Sequence, residues 1–145
     1  MQWRNVPIPD FYVVFFILGP LLHRLVPWTV FSQPRLGQAI GWPMVAAGLL
    51  LAGWAVQTSN ELDLEKPAKL VTTGPYAVSR NPMYAAWTLI YAGVALVANT
   101  NWLVLFLPGV LLLGNYVVIR REERDLERAF GDEYQRYRAR VRRWL

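Results

Sequence analysis

Two short stretches of this chain carry side chains that could hold a charged ligand. The first, residues 74–84, reads GPYAVSRNPMY and supplies Tyr76, Arg80, Asn81 and Tyr84. The second, residues 120–123, reads RREE and supplies Arg120, Arg121, Glu122 and Glu123. Gly74-Pro75 marks a turn, and Pro82 suits the first turn of a helix, where its missing N–H costs nothing. A helix start presents free N–H groups and partial positive charge, so it and an arginine could hold a carboxylate. A glutamate could accept hydrogen bonds from an amine or a ribose. Tyrosines beside an apolar flank could sandwich an aromatic base. Together these groups suit a polar, zwitterionic cofactor next to a lipidic substrate. Two plainer readings compete: a membrane-interface belt of Tyr and Arg for the first stretch, and a solvated ion-pair network for the second.

Both stretches border apolar runs. Of the 145 residues, 54% are hydrophobic and only 17% charged, and seven Trp and seven Tyr add rings that favour bilayer interfaces. This composition predicts a membrane protein. Apolar runs at about 9–26 (bent near Pro20), 36–57, 83–98 and 102–119 predict an all-α fold with about four transmembrane helices. Only Asn99-Thr100-Asn101 separates the last two, so they should form a tight antiparallel hairpin. A helix over 81–98 is about 27 Å long at 1.5 Å per residue, barely a crossing. Both open ends of the hairpin then lie on one membrane face, which makes 74–84 and the tail from Arg120 neighbours in depth. Gly37, Gly41, Gly48 and Gly53 in the second run are expected to serve close helix packing.

The connection 58–73 carries Glu61, Asp63, Glu65, Lys66 and Lys69 and reads as an ordered surface loop feeding the first stretch. Residues 120–130 should extend the fourth helix beyond the lipid. Gly131 can end it, and Asp132 can cap the next helix, with Gln135 at the capping-box position. Phe130, Tyr134, Tyr137 and Val141 then form an apolar stripe opposite arginines, as in a helix lying on a membrane surface. Nine of the fifteen basic residues, all Arg, fall between Arg120 and Arg143. Because they follow an apolar segment directly, anionic membrane lipids are the simpler partner and nucleic acid is not expected. Four spans put thirteen of the fifteen basic residues on one face, which predicts cytoplasmic N- and C-termini, with a bacterial inner membrane as the expected setting. No Cys is present and His23 is the sole histidine, so thiolate chemistry and a multi-histidine metal site are excluded. His23 and Arg24 should snorkel at the opposite face.

The run LVTTGPYAVSRNPMY, an apolar hairpin, and EERDLERAFGDEYQRY, in that order, resemble the isoprenylcysteine carboxyl methyltransferase family and its phospholipid methyltransferase relatives. The resemblance covers about residues 61–143 and implies one methyltransferase domain over 1–145, with its cofactor-binding part in that region. It implies an enzyme that uses S-adenosylmethionine, no metal, and a lipid-like or prenylated acceptor drawn from the bilayer. On the matching positions, Leu70 and Val71 ahead of the turn line the cofactor pocket. Tyr76, the motif arginine Arg80, then Asn81, Pro82, Met83 and Tyr84, and the pair Glu122 and Glu123 complete it, Glu123 being preferred. Two positions depart from the pattern. Asn81 stands where many members have His, and the substrate-handling arginine would fall near Ile119, which leaves Arg120 and Arg121 as the catalytic candidates. A carboxylate acceptor is already anionic and needs no general base, whereas an ammonium acceptor does. With His23 expected at the far face, carboxyl O-methylation is therefore favoured over phospholipid N-methylation. An NADPH enzyme resembling the sterol reductases, which favour RHxNY over this RNPMY, and a non-catalytic membrane scaffold are the remaining alternatives.

Overall fold

In the computed structural model, residues 10–59 and 69–144 are described, and they fold into six α-helices. The first is α1 (Asp10–Leu25), followed by α2 (Pro34–Ser59). After a 3₁₀ turn at Gly74–Ala77 come α3 (Pro82–Val97) and α4 (Asn101–Leu113). A π-helical turn at Gly114–Val118 joins α4 without a break to α5 (Ile119–Phe130), and α6 (Asp132–Arg140) ends the helical order. The protein is an all-α membrane protein. Among the described residues two helices are long and apolar enough to cross a bilayer on their own: α2, and the continuous 30-residue Asn101–Phe130. α1 and α3, at 16 residues each, are shorter. The charged stretch expected at 61–68 lies outside the described residues.

The first four helices form where apolar sequence and helix punctuation agree. Pro34 and Pro82 occupy first turns, and three residues separate α3 from α4, giving the expected tight hairpin. The hairpin's turn is fixed by Asn99, whose φ of 49° is left-handed and whose side chain reaches across to the α1–α2 loop. Its Oδ1 accepts from Phe31 N–H at 2.8 Å and its Nδ2 donates to Phe31 O at 2.9 Å. Asn101 N–H and Nδ2 donate to Trp28 O and Thr29 O, and Trp102 Nε1 donates to Val26 O. Two loops at one end of the bundle are thus stitched by side-chain amides. His23 sits at this end, its Nδ1 facing the Trp28 N–H at 3.4 Å, far from 74–84 as anticipated.

α2 and α3 pack backbone to backbone. A Cβ added at Gly41 would lie 2.5 Å from Gly93 O, and one at Gly93 would lie 2.7 Å from Gly41 O. Gly37 and Gly48 approach the Leu96 and Ile90 turns of α3 similarly, whereas Gly53 has open space around it. Three of the four glycines read as packing devices do that work, and α3 is held close enough that its short length is braced by a longer neighbour. Tyr12, Tyr84, Tyr91, Ala95, Leu103, Val110 and Ile119 form the core where α1, α3, α4 and the start of α5 meet. Leu49, Leu50, Leu105 and Leu112 are exposed on the outer faces of α2 and α4, as a lipid-facing surface requires.

The tail differs from the sequence expectation in two ways. Gly131, at φ 49°, is itself the N-cap of α6, and no side chain caps that helix. Asp132 is therefore the first helical residue, and the Gln135 side chain bonds Glu127 Oε1 at 3.2 Å, so no capping box forms. The stripe of α6 does not lie against lipid either. Tyr134 and Tyr137 are buried within the protein against Leu70, with Leu126, Phe130 and Val141 around them. An aromatic stripe can be satisfied by protein as well as by membrane, and Leu70 supplies the protein surface.

Candidate functional site

The site grows from the turn that precedes α3. Gly74 takes φ +58°, and any Cβ there would meet Thr58 Oγ1 at 2.6 Å, so only glycine lets the turn press on the end of α2. Pro75 O then accepts from both Val78 and Ser79 N–H, closing the turn and aiming the chain into α3. Tyr76 is brought beside Ser59 and Glu122. Burial raises the Tyr76 phenol pKa, a hydrogen bond with Ser59 opposes this, and the charge of Glu122 adds to the rise. Tyr137 O–H donates to Tyr76 O at 2.7 Å, tying α6 to the turn.

From the other side α5 delivers the two glutamates, and they have different partners. Tyr84 O–H donates to Glu122 Oε1 at 2.6 Å, a charge-assisted bond. Around Glu122, desolvation raises the carboxyl pKa, the Tyr84 bond opposes the rise and nearby Asp125 adds to it. Glu123 is buried and lies between two guanidinium groups. Arg80 Nη1 is 2.9 Å from Oε1, while Arg143 holds both oxygens, Nε to Oε1 at 3.1 Å and Nη2 to Oε2 at 2.6 Å. The Arg80 side chain is 9% exposed and that of Glu123 10%. Arg80 Nη1 also reaches Tyr134 O–H at 3.2 Å.

Arg143 arrives on a short extended strap. Ser79 and Arg142 form an isolated parallel bridge, and Arg80 N–H donates to Arg142 O at 2.8 Å. Arg143 O accepts from Ser79 Oγ at 3.2 Å and from Asn81 Nδ2 at 3.1 Å. Asn115, inside the π-helical turn, places Oδ1 3.3 Å from both Arg143 Nη1 and Trp144 Nε1. Single π-turns within α-helices recur at functional positions, and Asn115 lies in this one. Trp144 in turn helps line an open apolar cleft of about 410 Å³ between α2, α3 and α4, lined also by Met44, Leu51, Leu89 and Leu111, with Thr88 as its polar lining residue.

Of the residues singled out in the sequence, the fold brings Tyr76, Arg80, Asn81, Pro82, Met83, Tyr84, Glu122 and Glu123 together. Leu70 instead packs under α6 with Tyr134 and Tyr137, and Val71 next to it is half-buried. Arg120 and Arg121 are exposed on α5, and the Arg120 guanidinium lies 4.7 Å over the Tyr116 ring. Neither is drawn into the Glu122–Glu123 cluster: Arg120, although one turn from Glu123, stacks back over Tyr116, and Arg121 is exposed on another face of α5. Sequence reasoning missed Arg143, Asn115, Ser79 and Trp144. A signal existed for Asn115, a polar residue inside an otherwise apolar run, which in a membrane span is a candidate functional position in its own right.

The chemistry of this cluster fits S-adenosylmethionine. Arg80 Nε is buried without a hydrogen-bond partner, a donor suited to a carboxylate. No side chain caps the first turn of α3, so its N–H groups point the same way in chemical terms. Glu122 could take an amine or ribose hydroxyls, and Tyr76 and Tyr84 offer ring faces to a base.

The chain matches the phospholipid methyltransferase family over residues 16–133 and belongs to that family. It is 47% identical over 60 residues to an uncharacterized protein of Haemophilus influenzae, an alignment covering 41% of this chain and 84% of that one. It is 25% identical over 160 residues to the methanethiol S-methyltransferase of Crocosphaera subtropica, covering 95% of this chain and 62% of that enzyme's length. No solved structure matches it.

Proposed function

We propose that the protein is an S-adenosylmethionine-dependent membrane methyltransferase whose acceptor is lipid-like, with an isoprenylcysteine-type carboxylate as the preferred acceptor group. Family membership supports methyl transfer. The observation that carries the lipid-like acceptor is the apolar cleft lined in part by Trp144, itself hydrogen-bonded to the Asn115 that also contacts Arg143. A tail lying in the cleft would leave its polar end beside the Tyr84–Glu122 and Arg80–Glu123 pairs. Bound there, the cofactor supplies a methyl group already activated by its sulfonium, so the protein's contribution is chiefly placement and exclusion of water. Glu122 and the first turn of α3 would bind and orient it, and Arg120 and Arg121 would meet the acceptor at the headgroup layer. Four spans, with the start of α3 and the tail in the cytoplasm, complete the proposal, and the surface arginines of α5 and α6 would rest on anionic lipid.

One observation favours a second reading, N-methylation of an aminophospholipid. The raised pKa of Glu122 makes it a better proton acceptor than an ordinary carboxylate, and an ammonium acceptor needs such a base. A single assay separates the two. Purified protein is given labelled S-adenosylmethionine with a prenylcysteine and, separately, with phosphatidylethanolamine. Base-labile label in the prenylcysteine is expected. Base-stable label confined to the amine lipid would replace the carboxylate by the amine as acceptor.

A further inference from the structure

Two arginines share one buried carboxylate, so neither guanidinium has a carboxylate to itself. Glu123 neutralises one guanidinium, while Arg80 and Arg143, with side chains 9% and 26% exposed, both depend on it. A desolvated cation without a full counter-charge is costly, so this arrangement favours an incoming anion. The division of contacts says where that anion would bind. Arg143 uses two nitrogens on both Glu123 oxygens, whereas Arg80 is left with one Nη1 contact to Oε1 and keeps Nε buried and unpartnered.

We propose that Arg143 is a positioning residue for cofactor binding: by engaging both oxygens of Glu123 it keeps that carboxylate from closing on Arg80, and so reserves Arg80 Nε for the carboxylate of the cofactor. Without Arg143, Glu123 is free to turn and form the two-pronged pair with Arg80 that planar guanidinium and carboxylate groups favour. The donor would then be consumed inside the protein. Arg143 is anchored for this role independently of Glu123. Its carbonyl accepts from Ser79 and Asn81, and its remaining nitrogen meets Asn115. Its guanidinium is therefore carried by the strap and the π-turn together, both fixed to the elements that bear Arg80 and Glu123.

The inference rests on S-adenosylmethionine as cofactor, and the test separates the two. Binding of S-adenosylhomocysteine and of methylthioadenosine, which has the nucleoside and thioether but no carboxylate, is measured by calorimetry in detergent. The wild type, Arg143→Ala and Arg143→Lys are compared. Loss of a charge-assisted hydrogen bond predicts about ten- to a hundred-fold weaker S-adenosylhomocysteine binding in Arg143→Ala, with methylthioadenosine affinity unchanged. Arg143→Lys, which keeps the charge but can cover Glu123 less completely, should fall between. Equal loss for both ligands in both variants would mean that Arg143 only supports the fold and would overturn the assignment. Unchanged affinity for both would overturn it as well. Should Arg143→Ala not fold, the lysine variant alone gives the same comparison of the two ligands. A wild type that binds neither ligand would overturn the cofactor reading and this assignment with it.

Discussion

At the scale of single residues, two adjacent glutamates on one helix have been given different environments. Glu123 is buried between two arginines, while Glu122 lies at the exposed edge of α5, bonded by the Tyr84 phenol and near Tyr76 and Asp125. The rise in the Glu122 pKa has a consequence for stability with a definite sign. A carboxyl whose folded pKa exceeds its unfolded one stabilises the fold below the unfolded value, and that contribution is lost as pH rises through the folded pKa. Glu122→Gln, which cannot ionise, escapes the loss. Its melting temperature relative to wild type should therefore climb between about pH 4 and pH 8. A difference that stays flat across that range would show that Glu122 is not desolvated. The pairing of Glu122 with Tyr84 was within reach of sequence reasoning, because the hairpin brings both to one depth. That Glu123 is committed to Arg143 was not, since nine arginines between 120 and 143 look alike in composition and only the fold picks one.

At the scale of elements, the glycines that look alike in sequence separate into tight and open positions. Gly41 faces the Gly93 backbone, which cannot move aside as a side chain could, while Gly53 faces empty space. Gly41→Leu should destabilise the protein by about 1–3 kcal/mol or more through overpacking. Gly53→Ala should leave it unchanged or stabilise it by up to about 1 kcal/mol through helix propensity. Thermal melts of both variants in one detergent check the contrast, and equal effects would mean that α2 and α3 are not in backbone contact. Helix order and the hairpin were legible because apolar runs, prolines and a three-residue turn are local signals. The π-turn and the uncapped start of α6 were not legible. Each depends on which distant group is available, Arg143 and Trp144 for Asn115, and Leu70 for Tyr134 and Tyr137.

At the scale of the whole molecule, polar side chains at the two ends of the bundle serve different purposes. One end is stitched by Asn99, Asn101 and Trp102, and the other gathers every acid and base of the candidate site. The uneven basic charge predicts which end faces the cytoplasm. A cysteine at Arg136 should resist an impermeant thiol reagent in intact cells, and one at Thr100 should be labelled. The reverse pattern would invert the topology. The stitched end also bears on how the protein is made. Ser79 and Arg143 lie 64 positions apart, and nearly all the chain between them is the α3–α4 hairpin and its extension. Before that hairpin doubles back through the lipid, its two ends are separated by the extended length of two helices, and the loop entropy of bringing them together has nothing to offset it. In the proposed four-span arrangement biogenesis has an order: translocation of the 98–101 turn across the bilayer comes first, and the proposed ligand cradle closes afterwards on the proposed cytoplasmic side. A chain stalled on the near side carries every residue of the cradle in its sequence and none of the cradle in space.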